Sequence, residues 1–393
     1  MKQWNAESLA RTFSFVLPTK IIFGTGCIAQ IDDVLKDYGC NHPLLITDKG
    51  VLSAGVADKV IAALGKDISY EIFDGVEANP KDKNVADAAE AYAKAGADCM
   101  IAIGGGSPID CAKAAGVLIA HGSRDVKEFE GKSGAAKPIP TLICVPTTAG
   151  TGSELTFSAV ITDTANKYKM TIKTPYTAAK VAVCDPALTL TVPPAVTAST
   201  GMDALTHAIE AFTATVSEPI ADALALYSME LIFSNLEKAV ADGGDLDARS
   251  AMLMGSMLGG MAFSHSDVAS VHCIAEALGG MYDLPHGVCN AVILPHMMRY
   301  CMGYCTEKYG RAAVAFGLPD DNYSDEAKAT AAVYGVRELA KSVNLPAFSS
   351  LGVSAEDFPV IAAKSAKNIS NLSNPRPMTE ADYMAVLNIM AEQ

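Results

Sequence analysis

Short apolar runs alternate with longer amphipathic stretches through the first part of the chain. Continuous apolar runs predict strands at residues 44–48, 70–73, 98–103 and 141–145. Between these runs, apolar residues recur with helical spacing over residues 53–64, 85–94 and 108–120. Because a strand buried on both faces is apolar along its length, this alternation predicts a mostly parallel, doubly wound α/β sheet. An earlier strand is predicted within residues 15–26, where three apolar residues precede a Gly-Thr-Gly turn.

The pattern changes after residue 156. Residues 157–162 and 168–173 are separated by polar turn residues and predict a β-hairpin, and residues 181–184 predict one more strand. Pro193 and Pro194 then interrupt the chain. Helical spacing dominates the remainder, with helices predicted at 195–215, 218–241, 248–263, 271–279 and 288–301 and about four more beyond them. We therefore predict an α/β domain over residues 1–193 and an all-α domain over residues 194–393.

Composition and charge narrow the class of protein. A chain of 393 residues is long enough for two domains, and no apolar run approaches the roughly 18 to 20 residues of a membrane helix. The net charge of −14, without clustered Lys or Arg, argues against nucleic acid or an anionic membrane as a partner. The first fifteen residues contain no secretory apolar core. Ten cysteines without a C-x-x-C motif predict buried free thiols in a reducing compartment, so we expect a cytoplasmic protein.

One aspartate and three histidines form a candidate metal site. Asp203 and His207 stand four residues apart with no proline or glycine between them, so on a helix they share a face. His272 lies in an apolar, alanine-rich run, and His286 follows Pro285 at a predicted helix start. Although a single D-x-x-x-H pattern often arises by chance, these histidines lie among small apolar residues, where an unpartnered ring is costly to bury. The four side chains would hold a divalent ion and leave a position for a substrate oxygen.

A glycine-rich turn follows the strand predicted at 98–103. Its glycines allow close approach of a ligand to the backbone, Ser107 is expected to cap the next helix, and Pro108 suits the first helical position. A helix that begins here would offer free N–H groups to a pyrophosphate. The turn is neither G-x-G-x-x-G nor a P-loop, so an ordinary tight turn is the alternative. The candidate residues are Gly104, Gly105, Gly106, Ser107 and Asp110.

A second polar loop, residues 146–154, follows the next strand. Thr147, Thr148 and Thr151 offer hydroxyl groups to a ligand, and the Thr151–Glu154 spacing predicts a capping box. Because loops after neighbouring parallel strands meet at one edge of the sheet, the two loops predict a dinucleotide cleft. Asp48, at the end of another strand, would bind the adenosine ribose and repel a 2′-phosphate, unless it is only a helix cap.

Several motifs in the same order resemble the iron-containing (group III) alcohol dehydrogenases over nearly the whole chain. The motifs are residues 18–24, Asn79-Pro80, the loops 104–110 and 147–154, residues 201–212, 285–288 and 374–377. The resemblance implies a homodimer or larger homo-oligomer that transfers hydride between NAD(H) and a small alcohol or aldehyde. It assigns the metal to Asp203, His207, His272 and His286, and the pyrophosphate to the 104–107 loop. It also assigns Asn79, Asp110, Thr147, Thr148 and Thr151 to the cofactor side, and Asp48 to preference for NAD(H).

The expected metal is Fe²⁺ because of the resemblance, with Zn²⁺ as the alternative because affinity order favours it at nitrogen and oxygen ligands. One departure concerns Glu276, which stands where many members of the family have a further histidine near the substrate. This carboxylate would accept a proton, select a substrate with a donor or cationic group, ligate the metal, or pair with a neighbour. Protons are expected to pass through His265, Glu276 or water. The rival functions are a metal- and NAD-dependent lyase like dehydroquinate synthase and a non-catalytic relative.

Overall fold

The computed structural model describes residues 11–131, 134–318 and 322–392. The first ten residues, part of the segment in which no secretory signal was predicted, lie outside this description. Eight strands occur in the described part of the chain: β1 (Lys20–Phe23), β2 (Pro43–Ile46), β3 (Glu71–Phe73), β4 (Cys99–Gly104), β5 (Leu142–Pro146), β6 (Ser158–Asp163), β7 (Tyr168–Lys173) and β8 (Val181–Cys184).

Six of these strands form a parallel sheet in the order β1-β8-β5-β4-β2-β3. Strands β4 and β5 are buried along their whole length, and separate hydrophobic clusters cover the two faces of the sheet. The predicted doubly wound parallel sheet is therefore confirmed. Its helices are α1 (Ile31–Asp37), α2 (Lys49–Ser53), α3 (Val56–Ala62), α4 (Asp82–Ala95) and α5 (Gly106–His121).

The helix predicted over residues 53–64 is present as α3, from Val56 to Ala62. The short helix α2, which ends at Ser53, precedes it and was not predicted. Gly55 lies between them with φ 68°, a left-handed conformation that interrupts the helical hydrogen bonds. The other predictions in this half agree within a few residues, and β6 and β7 pair antiparallel as the predicted hairpin, from Ser158 opposite Lys173 to Asp163 opposite Tyr168.

Helices make up most of the chain after Pro193. They are α6 (Pro194–Thr213), α7 (Pro219–Ala241), α8 (Leu246–Ser266), α9 (Ser270–Tyr282), α10 (His286–Cys301), α11 (Thr306–Ala315), α12 (Asp325–Ser342), α13 (Phe358–Lys367) and α14 (Glu380–Ala391). A single apolar cluster joins them. Helix α6 starts at the predicted boundary, and the division at residues 193 and 194 stays a prediction. No helix in the described ranges combines the length and hydropathy required to cross a membrane.

Direct contacts join the sheet half to the helical half. A Cβ on Gly152 would lie 2.7 Å from the Cα of Gly260, so both residues must be glycine for the loop after β5 to touch α8. On the other side, the Asn79 amide donates to Asp283 Oδ1 at 2.8 Å. Between these contacts runs a cleft of about 1440 Å³ that both halves line. The carboxyl ends of the sheet strands open into this cleft, which is where parallel sheets bind ligands.

Candidate active site

The four predicted metal ligands come together at the base of the cleft. Asp203 and His207 project from α6, His272 from α9, and His286 is the first residue of α10. One ligand atom from each residue lies within 4.8 Å of the others. The ring centroid of His272 is 4.7 Å from that of His207 and 5.3 Å from that of His286. Such crowding of three polar rings around a carboxylate is typical of a metal site.

The protonation of two of these rings suits a cation. Burial lowers the pKa of His207 to about 4 and also lowers the pKa of His286, so both imidazoles are neutral at neutral pH and offer lone pairs. Their Nδ1 atoms are buried, with no hydrogen-bond partner among the described residues. One carboxylate and three imidazoles are nitrogen and oxygen donors of the kind that Fe²⁺ and Zn²⁺ accept. The residues therefore fit a divalent metal ion.

Glu210 orients one of the histidines and was missed in the sequence. Its Oε2 lies 2.6 Å from His272 Nδ1, and its two oxygens also accept backbone N–H bonds from Ala269 at 2.8 Å and Val271 at 2.7 Å. With Nδ1–H donated to Glu210, the Nε2 atom of His272 faces the cluster. The signal was available, since Glu210 follows Asp203 by seven residues and His207 by three on the same helix.

Asn290 is a second residue that the sequence did not reveal. Its Nδ2 atom lies 2.6 Å from Asp203 Oδ1 and 3.1 Å from the Nε2 atoms of His272 and His286. The side chain is fully buried, and its Oδ1 has no hydrogen-bond partner among the described residues. Asn290 follows His286 by one helical turn, so the two side chains share a face of α10.

The glycine-rich turn differs from its prediction in one respect. Ser107 is not the N-cap of the helix, because α5 already begins at Gly106 and Gly105 occupies the cap position without a side-chain cap. The physical reason is close packing. A Cβ on Gly105 would lie 2.8 Å from Thr148 Oγ1, and one on Gly106 would lie 2.7 Å from Thr151 Cγ2. The uncapped N–H groups of the first turn are thus left for a ligand, at a helix end that lines the cleft.

The second loop also lines the cleft, but without the predicted capping box. Thr147, Thr148 and Thr151 face the cleft, and Thr151 Oγ1 accepts a hydrogen bond from the Ser153 N–H at 3.2 Å. The predicted pairing of Thr151 with Glu154 is wrong, because Gly152, at φ 59°, occupies the N-cap of a short 3₁₀ helix that begins at Ser153. Glu154 is buried instead, its Oε1 has no partner among the described residues, and burial raises its pKa to about 7.

Three other residues predicted to bind the cofactor line the cleft, and each also makes hydrogen bonds within the protein. Asp48 accepts a hydrogen bond from the Val51 N–H at 2.9 Å and caps α2. Asp110 accepts from Ser153 Oγ at 2.5 Å and from the Val160 N–H at 3.0 Å, which ties α5 to the second loop and to the hairpin.

Asn79, the third of these residues, has φ 51° and connects the two halves of the chain. It accepts a 2.7 Å hydrogen bond from the ammonium group of Lys169, a buried residue that also lines the cleft and that the sequence did not reveal.

The two proposed proton carriers lie in different places. Glu276 lines the cleft, one turn after His272, and its Oε2 accepts a hydrogen bond from Asn368 Nδ2 at 2.5 Å. It is not part of the four-residue ligand cluster. His265 is absent from the cleft lining, since its ring stacks on Phe15 and both ring nitrogens contact backbone atoms. The geometry therefore does not bring His265 to the site.

Comparisons with known proteins match nearly the whole chain. A model described as iron-containing alcohol dehydrogenase matches residues 18–186, and one described as the C-terminal part of the Fe-containing alcohol dehydrogenase family matches residues 197–391. A 1,3-propanediol dehydrogenase of Citrobacter freundii is 39% identical over 96% of this chain and 98% of its own. Lactaldehyde reductase of Escherichia coli strain K12 is 37% identical over 92% and 95%. A solved 1,3-propanediol oxidoreductase superposes with a TM-score of 0.94 at 38% identity, over 97% of this chain and 100% of that one.

Proposed function

We propose, given that the chain belongs to the iron-containing alcohol dehydrogenase family, that Asp203, His207, His272 and His286 hold the metal of its reaction. The chain is an oxidoreductase that couples NAD(H) to small alcohols and aldehydes. The observation that carries the proposal is the convergence of one donor atom from each of the four residues within 4.8 Å. Bound there, a divalent ion supplies Lewis acidity toward a substrate oxygen.

The supporting residues have distinct tasks in this proposal. Glu210 fixes the tautomer and orientation of His272 through its 2.6 Å hydrogen bond. Asn290 donates to Asp203 Oδ1 and holds that carboxylate in place. We propose Fe²⁺ as the ion because the family is iron-containing, and Zn²⁺ as its competitor because of the affinity order.

The glycine-rich turn is proposed to bind the cofactor. NAD(H) supplies the hydride acceptor or donor. The N–H groups of the first turn of α5, beside Gly104, Gly105, Gly106 and Ser107, bind its pyrophosphate. Asp48, at the carboxyl end of β2, accepts hydrogen bonds from the ribose. Thr147, Thr148 and Thr151 line the cleft between that turn and the metal ligands, and Asp110 and Asn79 support it through their contacts.

The proton of the reaction needs a carrier. Reduction of an aldehyde takes up one proton at the product oxygen, and oxidation of the alcohol releases one. Glu276 is a titratable group that lines the cleft beside His272, whereas the ring of His265 is hydrogen-bonded to the backbone of the N-terminal segment. We therefore assign the proton to Glu276 or to water in the cleft.

Assembly and location are two further proposals. We propose a homodimer or a larger homo-oligomer because of the family resemblance. We propose a cytoplasmic location because all ten cysteines are free and buried, as expected of a chain that folds in a reducing compartment.

The direct test is NADH oxidation by anaerobically purified protein with a panel of small aldehydes. Activity is measured before and after removal of metal by a chelator, and again after addition of Fe²⁺ or Zn²⁺. Turnover that disappears on chelation and returns with metal is the expected result. No turnover with any aldehyde, in protein that binds both metal and NADH, would contradict the proposal and favour a lyase or a non-catalytic relative.

A further inference from the structure

Glu276 offers one carboxylate oxygen to the cleft. Its Oε2 is held by Asn368 Nδ2, from the segment that follows α13. No hydrogen bond to Oε1 is present among the described residues, and Oε1 is not one of the buried side-chain atoms that lack a hydrogen-bond partner, so it is accessible to solvent. Asn368 thus fixes the orientation of the carboxyl group through Oε2, and Oε1 stays free to accept a hydrogen bond at a residue that lines the cleft.

The surroundings of Glu276 contain charges of both signs. The buried ammonium group of Lys169 lines the same part of the cleft and interacts electrostatically with Glu276. Lys173 and Asp267, also in the lining, pair with each other at 3.6 Å. This part of the cleft therefore presents hydrogen-bond donors and acceptors together, with side chains of both charges.

We propose that Glu276 and Asn368 determine specificity by binding a second hydroxyl group on a neutral hydroxyaldehyde or diol substrate. The inference rests on the proposed function, since it concerns the far end of a substrate whose carbonyl or carbinol oxygen is at the metal ligands. Glu276 accepts the hydrogen bond of that hydroxyl group, and Asn368 keeps the carboxylate aimed at it.

Other substrates fit this environment less well. An anionic substrate would place its charge against Glu276, and a cationic one would place its charge against Lys169. A plain alkyl aldehyde would exclude water from Glu276 without replacing the lost hydrogen bond, which is costly for a carboxylate. A hydroxyl group is neutral and satisfies the acceptor. Sites that hydrogen-bond a substrate hydroxyl discriminate strongly against the analogue that lacks it.

The test compares kcat/KM for 2-hydroxypropanal and 3-hydroxypropanal with kcat/KM for propanal in the metal-loaded enzyme. The wild-type protein is expected to prefer at least one hydroxyaldehyde by about tenfold or more. In Glu276→Ala this ratio should fall close to one, and in Asn368→Ala it should fall partly. In Glu276→Gln the ratio should lie between those of the wild-type protein and Glu276→Ala, because the amide keeps an acceptor oxygen. Glu237→Gln, which neutralises an exposed carboxylate on α7, is the control and should leave the ratio unchanged.

The ratio of kcat/KM values separates specificity from other roles of Glu276, because a general loss of activity affects the hydroxyaldehydes and propanal equally. Metal content and NADH affinity are measured in every variant. If Glu276→Ala lowers kcat/KM for all aldehydes by one factor, Glu276 acts as a proton carrier or as structure, and the inference fails. A wild-type ratio near one, or a preference for 3-oxopropanoate or betaine aldehyde, would also overturn it while leaving the proposed function intact. The absence of turnover with every aldehyde would instead refute the proposed function itself.

Discussion

Glu210 Oε2 lies 2.6 Å from Nδ1 of His272, and the same carboxylate accepts two backbone N–H bonds at the start of α9. This contact joins α6, which carries Asp203 and His207, to the helix that carries His272. A carboxylate behind a ligating histidine fixes its tautomer and raises its basicity. The proposed metal site therefore depends on contacts between helices as well as on the four candidate ligands.

The first prediction concerns this carboxylate. Glu210→Gln keeps the volume but removes the charge behind His272, so we expect metal affinity to fall about 10- to 100-fold. Affinity is measured by competition with a chelator, and the exposed Glu237→Gln is the control. Unchanged affinity in Glu210→Gln would show that the hydrogen bond does not support the site.

The second prediction concerns the glycine-rich turn. Gly106→Ala places a Cβ 2.7 Å from Thr151 Cγ2 and 3.2 Å from Thr151 Cβ, so the turn and the second loop must move apart. We expect the Kd for NADH, measured by fluorescence titration, to rise about tenfold, or roughly 1.4 kcal/mol. Gly303→Ala is a matched control, because a Cβ there meets nothing within 4 Å. Equal NADH affinity in the two variants would argue that the cofactor binds elsewhere.

The third prediction concerns the choice between NAD(H) and NADP(H). Asp48→Asn keeps the hydrogen bond that caps α2, now from an amide oxygen, but removes the negative charge at the end of β2. We expect the kcat/KM ratio of NADPH to NADH to rise by about tenfold or more, since repulsion of the 2′-phosphate is lost. Asp58→Asn, exposed on α3, should leave the ratio unchanged. If both variants behave alike, Asp48 is only a helix cap.

The fourth prediction concerns stability against pH. Burial raises the pKa of Glu154 to about 7 from its ordinary value of 4.5, so the folded protein binds this proton more tightly than the unfolded chain. The contribution of protonated Glu154 to the free energy of unfolding is therefore complete below pH 4.5 and is lost as the pH rises toward 7.

Glu154→Gln does not titrate and removes this dependence. Relative to the variant, the wild-type protein should lose about 2 to 3 kcal/mol of unfolding free energy across this range. Urea denaturation of both proteins at several pH values measures the difference. Parallel stability curves would show that Glu154 titrates normally.

Local sequence patterns were sufficient to predict the fold class and most of the helices and strands. The apolar strands and the hairpin appear at the predicted places because burial on one or both faces imposes a periodicity that single residues reveal. The predicted N-cap at Ser107 and the predicted capping box at Glu154 are absent for a different reason. Ser107 and Glu154 have the right residue types and spacing, but packing of Thr148, Thr151 and Gly152 against neighbouring segments moved the helix starts.

The candidate ligands could be found because their residue types are few and their helical spacing is short. The sequence by itself determined the parallel sheet, the helical second half, and the set of side chains able to hold a metal. Only the tertiary structure decided which polar groups support them. Glu276 and Asn368 are 92 residues apart, and Glu210 and His272 are 62 apart, so no periodicity connects them. Such contacts depend on how the helices pack, and packing results from many weak interactions summed over the whole core.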